Sequence, residues 1–367
     1  MNKERNNRFK IRTINSKYLL ICFAVSVLTS VTACRHKGNT LTPTPAASSD
    51  DSTPSVTPSQ QVVFDVDVAT KTLKGYKGDA PKGKLVIPRN IYGTDIENIG
   101  ENAFKDCTDL TEVVIEEGIK TVGKNAFSGC KELLKITIPN TVTKIVEQVF
   151  FQCKKLASIE LPKVTEIGEK AFADTEIESI TIPEVTKIGS SAFASCKKLK
   201  TIDMPKVTEL GTGVFKSSGL ETVTIPNGGI TKITDSLFEK CENLSTVTMH
   251  NNITEIGISG FEGCKKLVSL TLSTGLLKTG SKSFKSSGIE RMDFPQGFTN
   301  LGDSSFEECT GLKVVYLPSS VTDVGNDAFK NCNRSAKVYA ETNDVQTKAK
   351  GKGLPDENIK VGAPPNT

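Results

Sequence analysis

Ten cysteines and two histidines are the residues of this chain with the widest chemical reach. Thiolates attack carbon, bind zinc or couple into disulfides, and imidazoles serve as general bases or metal ligands. The spacing withholds most of that chemistry. A Ser-His-Asp or Cys-His arrangement would have only His250 to draw on outside the leader, because His36 lies in a Pro/Ser/Thr-rich stretch. His250 takes the place of a strand-ending proline, where an exposed turn residue is the simplest role. Zinc sites bring close ligand pairs such as Cys-x-x-Cys. Here Cys107, Cys130, Cys153, Cys196, Cys241, Cys264, Cys309 and Cys332 stand at least 22 residues apart. There is no Gly-rich phosphate loop followed by Lys-Ser/Thr, and no Gly-x-Ser-x-Gly elbow. Carboxylates are plentiful, but their scattered spacing gives little support to the paired acids of a polysaccharide-cleaving enzyme. The expectation is therefore no catalytic residue, no metal and no cofactor.

Each of the eight cysteines lies three residues after a phenylalanine, and that coupling leads from chemistry to architecture. Phe104, Phe127, Phe150, Phe172, Phe193, Phe215, Phe238, Phe261, Phe284, Phe306 and Phe329 recur at steps of 21 to 23 residues. A period in that range marks a solenoid, in which stacked repeats bury one continuous core. In the other three repeats Thr175, Ser218 and Ser287 take the cysteine position. Pairing between neighbouring coils would leave Cys196 without an adjacent partner. Replacement by small hydroxyl residues fits an interior notch filled by buried thiols, with an occasional inter-coil disulfide as the alternative.

One repeat, read from Val185 to Pro205, shows the parts. Leu199-Lys-Thr-Ile-Asp-Met alternates Ile202 and Met204 against Thr201 and Asp203, the pattern of a short strand with one buried face. Pro205 ends it, since proline cannot donate to a ladder. Gly189 marks a turn, and Ser190–Ala194 has the length of about one 3₁₀ or α turn. The expected fold is a right-handed repeat solenoid with a parallel β-sheet on one side and short helical turns on the other. It would span 61–340, including an N-terminal capping repeat. Residues 341–367 would form a cap and tail, with a short helix from Asp344 to Lys350 and a last strand at Ile359-Lys360-Val361.

The pattern Ile-Gly-x-x-Ala-Phe-x-x-Cys-x-x-Leu-x-x-Ile-x-Ile-Pro, as in 188–205 with Met204 in place of the last isoleucine, resembles the BspA-type bacterial leucine-rich repeat proteins. The segment from Val63 to Pro88 looks like that family's N-terminal repeat. The resemblance implies a surface or secreted protein. For several members it implies adhesion to host matrix proteins or to other cells.

The N-terminus carries an address. Lys3, Arg5, Arg8, Lys10, Arg12 and Lys17 against Glu4 give +5, and an apolar run from Tyr18 to Ala33 follows. That run is shorter than the ~20 residues of a membrane span, and reads as a secretory signal over 1–33. Val31-Thr32-Ala33-Cys34 resembles a bacterial lipobox, which implies a lipid on Cys34 and attachment to a membrane. Arg35, in place of the aspartate of inner-membrane lipoproteins, points to the outer membrane by the same analogy. Residues 34–60 are a Pro/Ser/Thr tether that cannot bury enough surface to fold. Removing the leader takes the net charge from +4 to 4 − 5 = −1. No basic surplus remains to neutralise phosphates, which excludes a nucleic-acid partner on electrostatic grounds.

The outward face of the sheet is the candidate surface. One column of outward positions runs Lys135, Ser158, Ser179, Thr201, Thr222, Thr246, Ser269, Arg291, Val314. The other runs Thr137, Glu160, Thr181, Asp203, Thr224, Thr248, Thr271, Asp293, Tyr316. Threonines suit strands and hydrogen-bond across them, so the columns could simply be a solvated ladder. As a docking face they would be flat and hydroxyl-rich, with acidic points at Glu160, Asp203 and Asp293. Tyr316 is the only aromatic among them, which disfavours a dedicated glycan groove. Arg291 and Tyr316 are the expected anchor pair, since binding hot spots favour Arg and Tyr. The sequence thus points to a surface lipoprotein that binds a host matrix or cell-surface protein. The alternatives are a scaffolding protein of the envelope and, with least support, a polysaccharide-active enzyme. Ligand identity and oligomeric state are not written in it.

Overall fold

A computed structural model describes residues 62–364. The expected signal segment 1–33, Cys34 with its lipid, and the tether over 34–60 lie outside the described residues. The chain winds as a parallel β-solenoid of about 13 coils with few helices.

The coils are joined by three ladders, the first of them interrupted. The first is the expected sheet, built from strands such as Lys135–Thr137, Ser158–Glu160, Ser179–Thr181, Thr222–Thr224 and Thr246–Thr248. Neighbours pair parallel and in register, as Thr222 with Thr246 and Thr224 with Thr248. The central residue is buried and its flanks are exposed, because successive strand residues face opposite sides. The second ladder is formed by two-residue strands that in most repeats precede a glycine, with Val146 and Thr234 in its place after Ile145 and Ile233. Lys144–Ile145, Glu166–Ile167, Lys187–Ile188 and Glu209–Leu210 form one such run.

The third ladder is the turn side. Ala192, Ala194 and Cys196 donate to the carbonyls three residues back, at Gly189, Ser191 and Phe193. The intervening amides of Ser191, Phe193 and Ser195 donate instead to Thr212, Val214 and Lys216 of the next coil, at 2.8–2.9 Å. These i→i+3 closures are those of single 3₁₀ turns, but no helix propagates. Ser191 (φ 56°) and Ser195 (φ 61°) are left-handed and turn every second amide outward to the neighbouring coil. The same two positions, two residues before and after each repeat phenylalanine, are left-handed in every coil from Phe104 to Phe329. Asn, Asp, Ser, Gln, Lys, Glu or Gly fills them, and never a β-branched or aromatic residue, for which that conformation is prohibitive.

Inside, the eleven repeat phenylalanines are fully buried. Their rings form one offset stack with centroids 5.2–6.0 Å apart and interplanar angles of 2–23°. Tyr76 begins it, 6.2 Å from Phe104. The eight cysteines of the described residues are free and buried. Seven of these thiols donate to the phenylalanine carbonyl of the preceding coil, as Cys196 to Phe172 at 3.1 Å and Cys241 to Phe215 at 2.9 Å. Thr175 donates instead to the Phe172 carbonyl of its own coil at 2.8 Å and lies 3.4 Å from Cys196 Sγ, so a hydroxyl fills the notch without making the thiol's bond to the coil before. Gly189 does more than start a turn. A Cβ there would lie 2.7 Å from Gly168 C and Glu169 N of the preceding coil, so the repeat glycine lets two backbones touch.

Caps close both ends. Val63–Asp67 pairs antiparallel with Thr72–Lys77, and the Tyr92 hydroxyl accepts from Phe64 N at 3.0 Å on that hairpin's outer strand. At the other end the helix Asn343–Ala349 starts at Thr342, whose hydroxyl accepts from Val345 N, and buries Val345 and Ala349. Ile359–Val361 adds the last parallel strand beside Lys337–Ala340.

Two outcomes follow from this packing. Phe193→Ala should cost ~3–5 kcal/mol in urea unfolding, as for a buried core aromatic; a loss under ~1 kcal/mol would contradict a structural stack. Burial pushes the thiols of Cys196, Cys241 and Cys309 up to about 11, with Thr175, Ser218 and Ser287 partly offsetting it. Unfolded thiols ionise near pH ~8.5, so their contribution is complete below that pH and is lost as pH rises towards 11. Stability measured from pH 7.5 to 10.5 should fall, and should fall less steeply in Cys241→Ser. The native thiols should resist iodoacetamide at pH 8.

Candidate binding face

The strand alternation that buries Ile136, Ile159, Val223 and Val247 necessarily turns the two predicted columns outward. Ser158, Ser179, Thr201, Thr222, Thr246 and Ser269 are exposed, as are Glu160, Thr181, Asp203, Thr224, Thr248, Thr271 and Asp293. The middle of the face carries only short side chains, so it is flat and dominated by hydroxyls. The ladder beneath it is interrupted. Residues 201–204 and 269–272 keep the inward alternation but belong to no strand pair.

Two hollows sit on the N-terminal part of the face. An open trough of about 810 Å³ lies over Lys135–Thr137, Ser158–Glu160 and Ser179, with Glu116 and Glu117 at its rim. A cleft of about 330 Å³ follows on the next coils, between residues 201–205 and Thr224, Pro226 and Asn227.

At the C-terminal end the face changes character. Arg291 Nε donates to Asp293 Oδ2 at 2.7 Å within one strand. In register, Arg291 lies opposite Val314 and Asp293 opposite Tyr316. The expected anchor pair is thus brought together diagonally, on either side of Asp293, with all four side chains on one surface. Burial raises the Tyr316 hydroxyl above its ordinary pKa, and Glu341 adds to it. The next strand extends the patch with Lys337 opposite Val314 and Tyr339 opposite Tyr316. Tyr339 belongs to the same face and was not among the expected residues. Its signal was the strand Lys337-Val338-Tyr339-Ala340, which repeats the alternation one period after Val314–Leu317.

Charge is arranged differently on the two sheets. Along the short-strand column the residues run Lys144, Glu166, Lys187, Glu209, Lys232, Glu255, Lys278. They pair as Lys144–Glu166 at 2.8 Å, Lys187–Glu209 at 2.9 Å, Lys232–Glu255 at 2.8 Å and Lys278–Glu255 at 3.2 Å. These pairs are exposed and each contributes little energy. They neutralise that side. On the hydroxyl face, Glu160 and Asp203 have no ion pair and no side-chain hydrogen bond among the described residues.

His250 ends its strand as a half-buried residue; its Nδ1 accepts from Asn252 N at 3.2 Å and its Nε2 is buried without a partner. No group of three or more His, Cys, Asp or Glu side chains that could hold a metal ion occurs among the described residues.

Six copies of the pattern described as BspA type leucine rich repeat region match this chain, over residues 85–199, 165–262 and 231–349. A leucine-rich repeat protein from Bacteroides ovatus is similar in structure, with TM-score 0.62 and 25% identity over 82% of this chain and 75% of that one. The pneumococcal vaccine antigen PcpA is similar in fold, with TM-score 0.53 and 18% identity over 80% and 92%. A leucine rich cell surface protein from Faecalibacterium prausnitzii aligns with TM-score 0.47 and 24% identity over 85% and 99%. No curated protein matches the chain.

Since the face is solvent-facing and the layer beneath it is core, neighbouring substitutions should part company. Thr248→Arg should change unfolding free energy by less than ~0.5 kcal/mol, whereas Val247→Arg should cost more than ~3 kcal/mol by burying an unpaired charge. Denaturant titration of both variants measures the contrast.

Proposed function

Because the chain belongs to the BspA type leucine-rich repeat family, a general protein-binding or surface repeat module, we propose that it is a cell-envelope lipoprotein displayed at the surface. In this reading it adheres to a host matrix protein or to another cell. A lipid on Cys34 holds it in the outer membrane, residues 34–60 space it from the bilayer, and the solenoid engages the partner.

The observation that carries this reading is the outward sheet face. It is a continuous solvent-facing surface of short hydroxyl residues ending in the Arg291, Asp293, Val314, Tyr316 and Tyr339 patch, and it contains no constellation of catalytic groups. Tyrosine and arginine at one end of a flat surface are the residue types that anchor protein interfaces. A face otherwise made of Ser and Thr offers few deep anchors, so affinity per molecule is modest and gains from many copies on one cell. Proteins of this family are typically non-enzymatic binding modules.

Protease shaving of intact cells, with a periplasmic marker as lysis control, tests the address. Peptides from 85–349 should be released without the marker; release only after lysis would remove the adhesion reading and leave a scaffold inside the envelope. On cells where it is displayed, Tyr316→Ala with Arg291→Ala should reduce attachment to the bound partner at least tenfold, while Thr279, on the other sheet, should be replaceable by Ser without effect.

A further inference from the structure

The hydroxyl face is acidic where the rest of the chain is balanced. The two adjoining hollows contain Glu116, Glu117, Glu160 and Asp203 against Lys135 alone, which is 1 − 4 = −3. Outside the leader the whole chain sums to only −1. Glu116 and Glu117 are engaged at the rim, accepting from Arg89 N and Asn140 N at 2.9 Å each. Glu160 and Asp203 stand on the floor of the face, and neither has a cationic or hydrogen-bonding partner among the described residues. Elsewhere the molecule supplies its carboxylates with lysines from the next coil, as Lys155 for Glu132 and Lys206 for Glu184. Among the outward acids of the hydroxyl face, Asp293 is paired with Arg291, whereas Glu160 and Asp203 are left open on the flattest part of it.

We propose that this stretch of the face docks a basic, extended peptide segment of the partner protein, with Glu160 and Asp203 receiving two of its Lys or Arg side chains. The proposal rests on the protein-binding reading above and specifies its partner. Charge complementarity selects the sign: no cation but Lys135 is available to receive an anion, and a neutral ligand would leave both carboxylates uncompensated. Geometry selects the form. Glu160 and Asp203 occupy the same column two coils apart, with Thr181 between them, which at the strand separation of ~4.8 Å places them roughly 10 Å from one another. A polyproline II segment advances ~3.1 Å per residue and returns a side chain to the same side every third residue, or ~9.3 Å. A β-strand turns every third side chain to the opposite side. The small floor residues Ser179, Thr181 and Thr201 let such a segment lie flat along the stack, and their hydroxyls can bond its exposed backbone carbonyls.

The test uses the full chain, purified in detergent, and three labelled probes: (Pro-Pro-Lys)₆, (Pro-Pro-Gln)₆ and (Pro-Pro-Glu)₆. The basic peptide should bind at least tenfold more tightly than the other two, and the preference should weaken as salt rises. Glu160→Gln with Asp203→Asn should abolish the preference, with unfolding unchanged as a control for folding. Glu209→Gln, which instead removes a carboxylate from the short-strand column of the other sheet, should leave it intact. Equal binding of the three peptides, or an undiminished preference in the double variant, would overturn the proposal. A second arm separates it from the reading it rests on. If cells carrying Glu160→Gln with Asp203→Asn still attach to the partner as wild type does, the basic-segment inference fails while adhesion stands. If wild-type cells attach to nothing yet the peptide preference holds, adhesion fails and the acidic dock remains.

Discussion

Stacking at one backbone spacing governs this molecule. Once the coils are joined by parallel ladders, every side chain faces its counterpart one period away, roughly 4.8 Å along the axis. A residue is therefore acceptable only if it can lie against copies of its own kind or against a complementary one. Phenylalanine meets that condition by offset stacking, which is why one aromatic column runs from Phe104 to Phe329. Glycine meets it by having nothing to collide with, as at Gly189. Cysteine meets it by being small and by giving its thiol hydrogen to the carbonyl of the coil before. Threonine meets it with a hydroxyl that both donates and accepts. The left-handed turn positions meet it by excluding branched side chains.

Charge is the hardest case, because like charges one period apart repel. The short-strand column solves it by alternation from Lys144 to Lys278, so each cation finds an anion on a neighbouring coil. The hydroxyl face solves it by omission: from Ser179 to Thr271 only Asp203 is charged among the outward positions. The two surfaces thus differ in kind. The alternating column is internally satisfied and presents nothing to a partner that is not already paired. The hydroxyl face is incomplete, and its few strong groups are held apart by neutral residues.

Much of this was legible in the sequence, and the reason is the same constraint. A defect in one coil is felt by two neighbours, so the core columns repeat closely enough to read without a structure. The phenylalanine steps, the cysteine offset and the alternation around Ile202 emerged that way, and the residues that form them are buried as expected; beyond the repeats, the C-terminal helix starts one residue before the expected Asp344 and the last strand is at Ile359–Val361. The turn side was harder. Its left-handed residues share no side-chain type, only the absence of branching, and an absence spread over Ser, Asn, Lys and Asp does not announce a conformation. Tyr339 escaped because its strand ends Ala340-Glu341, where the preceding one ends Leu317-Pro318, and so lacks the proline that marks the close of a repeat strand. The uncompensated state of Glu160 and Asp203 could not be read at all, since it depends on which lysines reach across coils.

The same quasi-one-dimensional design explains how a solenoid can acquire a binding surface cheaply. Stability is carried by nearest-neighbour interfaces, and the outward strand positions take no part in the phenylalanine stack, the thiol bonds or the glycine contacts. They can change with little effect on folding, provided like charges are not placed one period apart. The outward positions are therefore a nearly independent set of residues, and one scaffold carries an acidic stretch near Asp203 and an aromatic one near Tyr316. Two patches of different chemistry separated by several hydroxyl coils favour an elongated partner over a compact one. Such a partner would touch both ends of the face and cross the neutral middle, where Thr222, Thr224, Thr246 and Thr248 offer hydrogen bonds but no obstruction.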